Sequence, residues 1–164
     1  MRLLPIPIRP RQDVSASLVT LQHVLAHEGE ALATLRVEAM RESLEQAGRF
    51  HPEHARERFL SGFSPQHTRH VLLGAEKVGF VVLRPVELGL LLDHLYILPR
   101  HQWKGIGSAV LATVLAEADR QAKPVRVGAL KQSRSNAFYV SHGFKLVDHD
   151  EWDNYYVRHP KCEV

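Results

Sequence analysis

Residues 88–130 constrain this chain more than any other stretch. They hold an apolar run (88–97), the turn Gln102-Trp103-Lys104-Gly105-Ile106-Gly107-Ser108, a helix-like stretch (105–121) and a second strand-like run (125–130). The first run is broadly apolar, which predicts a strand covered on both faces and therefore central in a sheet. Ile106, Val110, Leu111, Val114, Leu115 and Ala118 recur at helical spacing and form one wide apolar stripe. A strand, a covering helix and a second strand make a parallel crossover unit. Gly105 and Gly107 let the backbone of the turn approach a ligand closely. The first N–H groups of the helix have no intrahelical acceptors and sit at the positive end of its dipole. The turn therefore reads as an anion site, for phosphate above all.

The flanks fill out a mixed sheet. Residues 3–9 predict a strand that Pro5 and Pro7 confine to an edge. Asp13 or Ser15 can cap a helix reaching about residue 26, broken by Gly29. A second helix is predicted over 30–46, with Leu32, Leu35, Ala39, Met40, Leu44 and Ala47 at helical spacing and Gly48 at its end. A short helix covers 52–60, with Pro52 near its start. Residues 68–74 and 78–83 read as a hairpin around 75–77, closed by Arg84-Pro85. A short helix over 133–142 stops at Gly143, and 144–149 and 154–158 read as closing strands. No repeat or linker interrupts the chain, so a single domain over 1–164 is expected, an α/β fold with a mixed sheet.

Composition narrows the class. With 164 residues, a formal charge of +3 and no dense Lys/Arg run, the chain suits an anionic ligand without demanding nucleic acid, and no nucleic-acid partner is expected. Its one cysteine, Cys162, rules out an internal disulfide. No 18-residue apolar run and no signal-like N-terminus are present, so no membrane span and a cytoplasmic location are the expectation. Eleven histidines are scattered without ligand spacing, so no metal is expected. A dinucleotide fingerprint needs a third glycine where Val110 stands, and a Walker A loop needs Gly-Lys-Ser/Thr, which is missing.

Strand residues Leu95-Tyr96-Ile97-Leu98-Pro99 followed by Gln102-Trp103-Lys104-Gly105-Ile106-Gly107 resemble the acetyl-CoA signature of the GNAT N-acetyltransferase superfamily, Gln/Arg-x-x-Gly-x-Gly/Ala after the fourth strand. Asn136-Ala137-Phe138-Tyr139-Val140-Ser141-His142-Gly143-Phe144 resembles that family's second signature, Phe-Tyr-x-x-x-Gly-Phe. The resemblance spans about residues 88–145. It implies a GNAT-like fold: a central mixed, largely antiparallel sheet of six to seven strands, about four helices, and splayed parallel strands around the acetyl-CoA site.

The resemblance also implies chemistry. Acetyl-CoA would be the co-substrate, and an acetyl group would pass to a primary amine, on a small molecule or a peptide, by direct attack in a ternary complex. The turn from Gln102 through Trp103, Lys104, Gly105, Ile106, Gly107 and Ser108 would hold the pyrophosphate by its backbone N–H groups, with Arg100 or His101 offered to the ribose phosphate. Leu95, Tyr96 and Ile97 would pair with pantetheine as an added strand. Gln132 stands where the family usually has Asn, and Asn136 is the other amide nearby; both are candidate pantetheine contacts. Trp103 replaces the small or basic residue usual at its position. Tyr139 matches the general acid that protonates the leaving thiolate. Asp93 is the candidate base: a carboxylate in an apolar run, desolvated, and by strict alternation on the face of Leu95 and Ile97, opposite His94, Tyr96 and Leu98. Glu38 and Arg41, on the second helix, are candidate acceptor contacts. Trp152, Tyr155 and Tyr156 belong to the core, to a homodimer contact or to the pocket wall. The alternative reading is a non-catalytic module that binds or senses acyl-CoA on the same fold.

Overall fold

The computed structural model describes residues 18–162. The chain runs β1 (Val19–His23), α1 (Gly29–Gln46), α2 (Pro52–Ser61), β2 (Thr68–Leu73), β3 (Glu76–Val86), β4 (Gly89–Ile97), α3 (Ile106–Arg120), β5 (Val125–Leu130), α4 (Ser135–Ser141), β6 (Lys145–His149) and β7 (Asp153–Arg158). The seven strands form one sheet in the order β1-β2-β3-β4-β5-β7-β6. Every neighbouring pair is antiparallel except β4 and β5, which are parallel as the crossover requires. The broadly apolar β4 occupies the centre.

Two expectations fail: Arg84-Pro85, expected to close the hairpin, lies within β3, paired with Leu91 and Leu90, and an expected helix gives way to a strand. The strand expected at 3–9 and the start of the following helix lie outside the described residues. Where that helix is expected to continue, the chain is instead β1, antiparallel to β2 with Val19 opposite Leu73 and His23 opposite Arg69. The physical reason is a period of two. Val19 and Leu21 pack on the core while Thr20, Gln22 and His23 face water. Gly29, expected to break a helix, opens α1. It is buried, and a Cβ there would meet the Phe63 ring at 2.9 Å.

Two apolar layers sandwich the sheet. On one face, the α3 stripe (Ile106, Val110, Leu111, Val114, Leu115, Ala118) packs on Val71, Val81, Leu90, Leu92, Val125 and Val127. On the other, Leu32 and Ala33 of α1 and Phe59 of α2 pack on Phe80 and Val82. A bidentate pair, Arg69 to Glu117 at 2.7 and 3.1 Å, ties β2 to α3. Arg158 and Asp119 pair likewise and tie β7 to the end of the same helix.

Two irregularities of β4 position the site. First, β4 pairs with β5 only over Leu90–Leu92 against Val125–Val127. Beyond that point β4 follows β3 and β5 follows β7, so the two parallel strands diverge. Second, Val82 lies opposite His94 and Leu83 opposite Leu92, which leaves Asp93 as an extra residue, a β-bulge.

Candidate active site

The turn before α3 has the backbone of an anion cradle. Trp103 and Gly105 both adopt left-handed φ, +65° and +79°, on either side of Lys104. Gly105 is the N-cap of α3. The first helical bond recorded is Ala109 N–H to the Gly105 carbonyl, 3.1 Å, so the N–H groups of Ile106, Gly107 and Ser108 precede the ladder and point out of the helix end. The Gln102 side chain donates to the Ile97 carbonyl at 2.9 Å and fastens the turn to the end of β4. Trp103 is 81% exposed, with the Arg134 guanidinium 5.0 Å from its ring. Arg100 and buried His101 both engage Glu76, at 3.5 and 3.2 Å. His101 holds the Glu76 carboxyl below its ordinary range.

Tyr139 lies on this same side of the sheet. It is 6% exposed, among Phe138, Phe144 and Tyr156. Its hydroxyl makes no hydrogen bond among the described residues, and burial raises its pKa well above that of a free phenol. It therefore keeps its proton throughout the ordinary pH range. Asn136, at the start of α4, is fully occupied. Its amide donates to the carbonyls of Leu130 and Ser133, both at 2.9 Å, and its oxygen accepts from Asn154 and Tyr156 at 3.0 and 2.8 Å. Gln132 is exposed and left-handed, φ +70°.

A cavity of about 800 Å³ opens on the opposite side, against α1 and α2. Leu91, Asp93, His94 and Tyr96 of β4 line it, and β5 contributes Arg126, Gly128 and Leu130. Trp152, Tyr155 and Tyr156 line it from β7 and the preceding loop, and Tyr156 also packs against Tyr139 in the core. The strands thus diverge between a cradle and a phenol on one side and a cavity on the other.

Residues 67–146 match the family model described as acetyltransferase (GNAT) domain. The match covers just under half of the chain and places this segment in the GNAT acetyltransferase family. Solved structures share the GNAT fold at low identity. The PaiA N-acetyltransferase of Thermoplasma acidophilum, solved in complex with coenzyme A, is 18% identical with a TM-score of 0.71, over 86% of this chain and 98% of its own. An acetyltransferase from Thermus thermophilus is 19% identical with a TM-score of 0.71, over 88% and 99%. The ribosomal-protein-S18-alanine N-acetyltransferase of Escherichia coli is 14% identical with a TM-score of 0.68, over 89% and 96%. No curated protein sequence matches the chain.

Within this GNAT domain, three placements differ from the sequence reading. The bulge at Asp93 breaks strict alternation. Leu95 and Ile97 pack on the α3 side, while Leu91, Asp93, His94 and Tyr96 line the cavity, so His94 shares the cavity side with Asp93 instead of opposing it. Asp93 is exposed instead of desolvated, because the bulge carries it to the cavity wall, where Arg84 Nε donates to Oδ2 at 2.7 Å. Glu38 and Arg41 lie off the cavity. The row of α1 that faces it is Arg36, Met40 and Leu44, one turn apart. Arg41 instead pairs with Glu45 and lies over the Phe50 ring.

The missed residues are Arg36 and His94. Arg36 left a signal, a charge inside the apolar row Leu32–Arg36–Met40–Leu44. It is 7% exposed and donates from Nη1 to the Ala55 carbonyl. His94 is packed among the rings of Phe59, Phe80 and Tyr96. Burial lowers its pKa to about 4, against a raising effect of Asp93 and assisted by Arg36, Arg84 and Arg58. Its imidazole is thus neutral at pH 7.

Proposed function

We propose that the domain transfers the acetyl group of acetyl-CoA to a primary amine, by direct attack in a ternary complex. The observation that carries this is the divergence of β4 from β5, with an anion cradle on one side and a cavity on the other. In this reading the pyrophosphate lies on the N–H groups of residues 103–108. Pantetheine extends along the free edge of β4 at Leu95, Tyr96 and Ile97, where main-chain groups have lost their strand partner. Gln102 holds the turn in place. Gln132, exposed beside the divergence, is the amide offered to pantetheine, and Asn136 shapes the end of β5.

The amine reaches the thioester from the cavity. Its nitrogen bonds to the carbonyl carbon, the carbonyl oxygen gathers charge, and a β4 N–H stabilises it. The C–S bond then breaks and the thiolate takes the Tyr139 proton. The proton lost by the amine goes to Asp93, whose Oδ1 is uncommitted, with neutral His94 beside it, Nε2 3.7 Å from Oδ2. The chain has no cysteine in its core for an acyl-enzyme route, because Cys162 is exposed near the C-terminus.

Tyr139→Phe tests the reading. The substitution keeps every ring contact and removes a hydroxyl that makes no hydrogen bond among the described residues, so the fold survives. Turnover is expected to fall by about 10²–10⁴ with CoA affinity unchanged, a typical loss for a general acid. Unchanged turnover would remove Tyr139 from the mechanism.

A further inference from the structure

Arg36 is a buried cation without a counter-ion. No carboxylate lies within ion-pair distance of it among the described residues, and its Nε has no hydrogen-bond partner. Taking a charge out of water unpaired is costly, so such a group marks a place where an anion is missing. Only Nη1 is spent, on Ala55. The remaining Nε–Nη2 edge is the one that grips a carboxylate through two parallel bonds. Arg84 shows the contrast. Its Nε holds Asp93 and its Nη2 holds the Gly62 carbonyl, so its charge is paired and its Nε–Nη2 edge is taken.

The cavity around Arg36 is built the same way. Arg58 and Arg126 also line it and make no ion pair among the described residues. Of its carboxylates, Asp93 is ion-paired with Arg84, while Asp148, Asp150 and Asp153, on β6, β7 and the loop between them, make no ion pair among the described residues. Asp148 is held by the His149 N–H, and Asp150 by the Tyr155 hydroxyl and two backbone N–H groups. Burial, and then Asp150, hold the Asp153 carboxyl above its ordinary range. Five arginines (Arg36, Arg49, Arg58, Arg84 and Arg126) against four carboxylates line the cavity, and Arg36 is the buried one. Arg36 sits deep in it, with its guanidinium carbon 5.9 Å from the Tyr96 ring on β4.

We propose that the acceptor is an amine carrying a carboxylate a few bonds from its nitrogen, bound through Arg36 and Arg58, as a free amino acid would be. This rests on the acetyl-transfer reading above and names the substrate class of its cavity. A peptide N-terminus carries an amide at that place and leaves Arg36 unpaired. The same anion would act on His94. The charges facing His94 are Arg36 of α1, Arg58 of α2, Arg84 of β3 and Asp93 of β4. Neutralising the first two raises its basicity as the amine arrives.

The test uses matched sets: glycine, β-alanine and the larger free amino acids, their carboxamides, and the corresponding decarboxylated amines. Thiol release with acetyl-CoA is expected to favour the acids over the carboxamides by about tenfold to a hundredfold in kcat/KM, as for a lost charged hydrogen bond. Arg36→Gln should abolish that preference, and Arg58→Gln, at an exposed position that tolerates the change, should reduce it. Carboxamides or decarboxylated amines acetylated as well as the acids would overturn the proposal. A second readout needs no turnover: the NMR titration of the His94 ring in CoA-saturated protein. Excess amino acid should raise its pKa from about 4 while the carboxamides leave it in place. No rise with any acid, or an equal rise with the carboxamides, overturns the carboxylate site. A selective rise in a protein that acetylates nothing upholds that site and contradicts acetyl transfer.

Discussion

At the scale of residues, side-chain chemistry is concentrated in three groups that bond to little else: Tyr139, His94 and Arg36. A protein gains nothing in stability from a buried polar atom without a partner, so each is better understood as serving a ligand. His94 makes this measurable. Its folded pKa is about 4 against an ordinary 6.5, so between those values the unfolded chain binds the extra proton. Stability is therefore full above about pH 6.5 and falls as the pH drops toward 4, by on the order of 2–3 kcal/mol. Urea unfolding at pH 7 and pH 4.5 should show this loss in the parent protein and a smaller one in His94→Phe. Equal losses would contradict the burial argument. Tyr139 was legible in the sequence because its neighbours Phe138, Gly143 and Phe144 form a contiguous motif. Arg36 and His94 were not. Arg36 left only its place in the apolar row Leu32–Arg36–Met40–Leu44, which does not say what faces it, and the face of His94 depends on a bulge in register with β3.

At the scale of elements, the turn proposed for the donor was readable and the cavity proposed for the acceptor was not, for one reason. The cradle is built from contiguous main chain, whereas the cavity is assembled from α1, α2, β4, β5 and β7, which meet only in the fold. Main-chain recognition has a consequence. Gly105 needs φ +79°, a conformation that costs an L residue about 1–2 kcal/mol. Gly105→Val should lower CoA affinity about tenfold or more if that strain is met by distorting the turn. Trp103 already bears the same kind of strain at φ +65°. Trp103→Gly should relieve it, lose the contact with Arg134, and leave CoA affinity close to that of the parent. Calorimetric titration with CoA checks both. A severe loss in Trp103→Gly would mean that the indole itself touches the ligand. β1 is a related case: the short alternation of Val19 to Gln22 between core and water was outweighed by a capping signal, and only pairing with β2 settles it as strand.

At the scale of the whole molecule, α3 holds the sheet together across its centre on one face, yet the two halves share only three residue pairs between β4 and β5. A ligand that fills the divergence bridges the halves and should stabilise the fold as a unit. At a hundredfold excess over its Kd, CoA contributes about 2.7 kcal/mol, which for a domain of this size is about 5–10 °C in Tm. Differential scanning calorimetry with and without CoA measures it, and no shift would contradict binding at the divergence. The mixed sheet around a parallel crossover was expected from sequence because hydrophobic periodicity switches cleanly at Pro99 and Pro124. The extent of the divergence was not, because it lies in pairs that fail to form. The most direct test of the account is acetyl-CoA turnover against a panel of amines and peptides, following thiol release together with the mass of the acceptor. The account predicts one acetyl group gained by an amine for each thiol released. CoA binding without any acetylated amine would contradict it and leave a sensing module in its place.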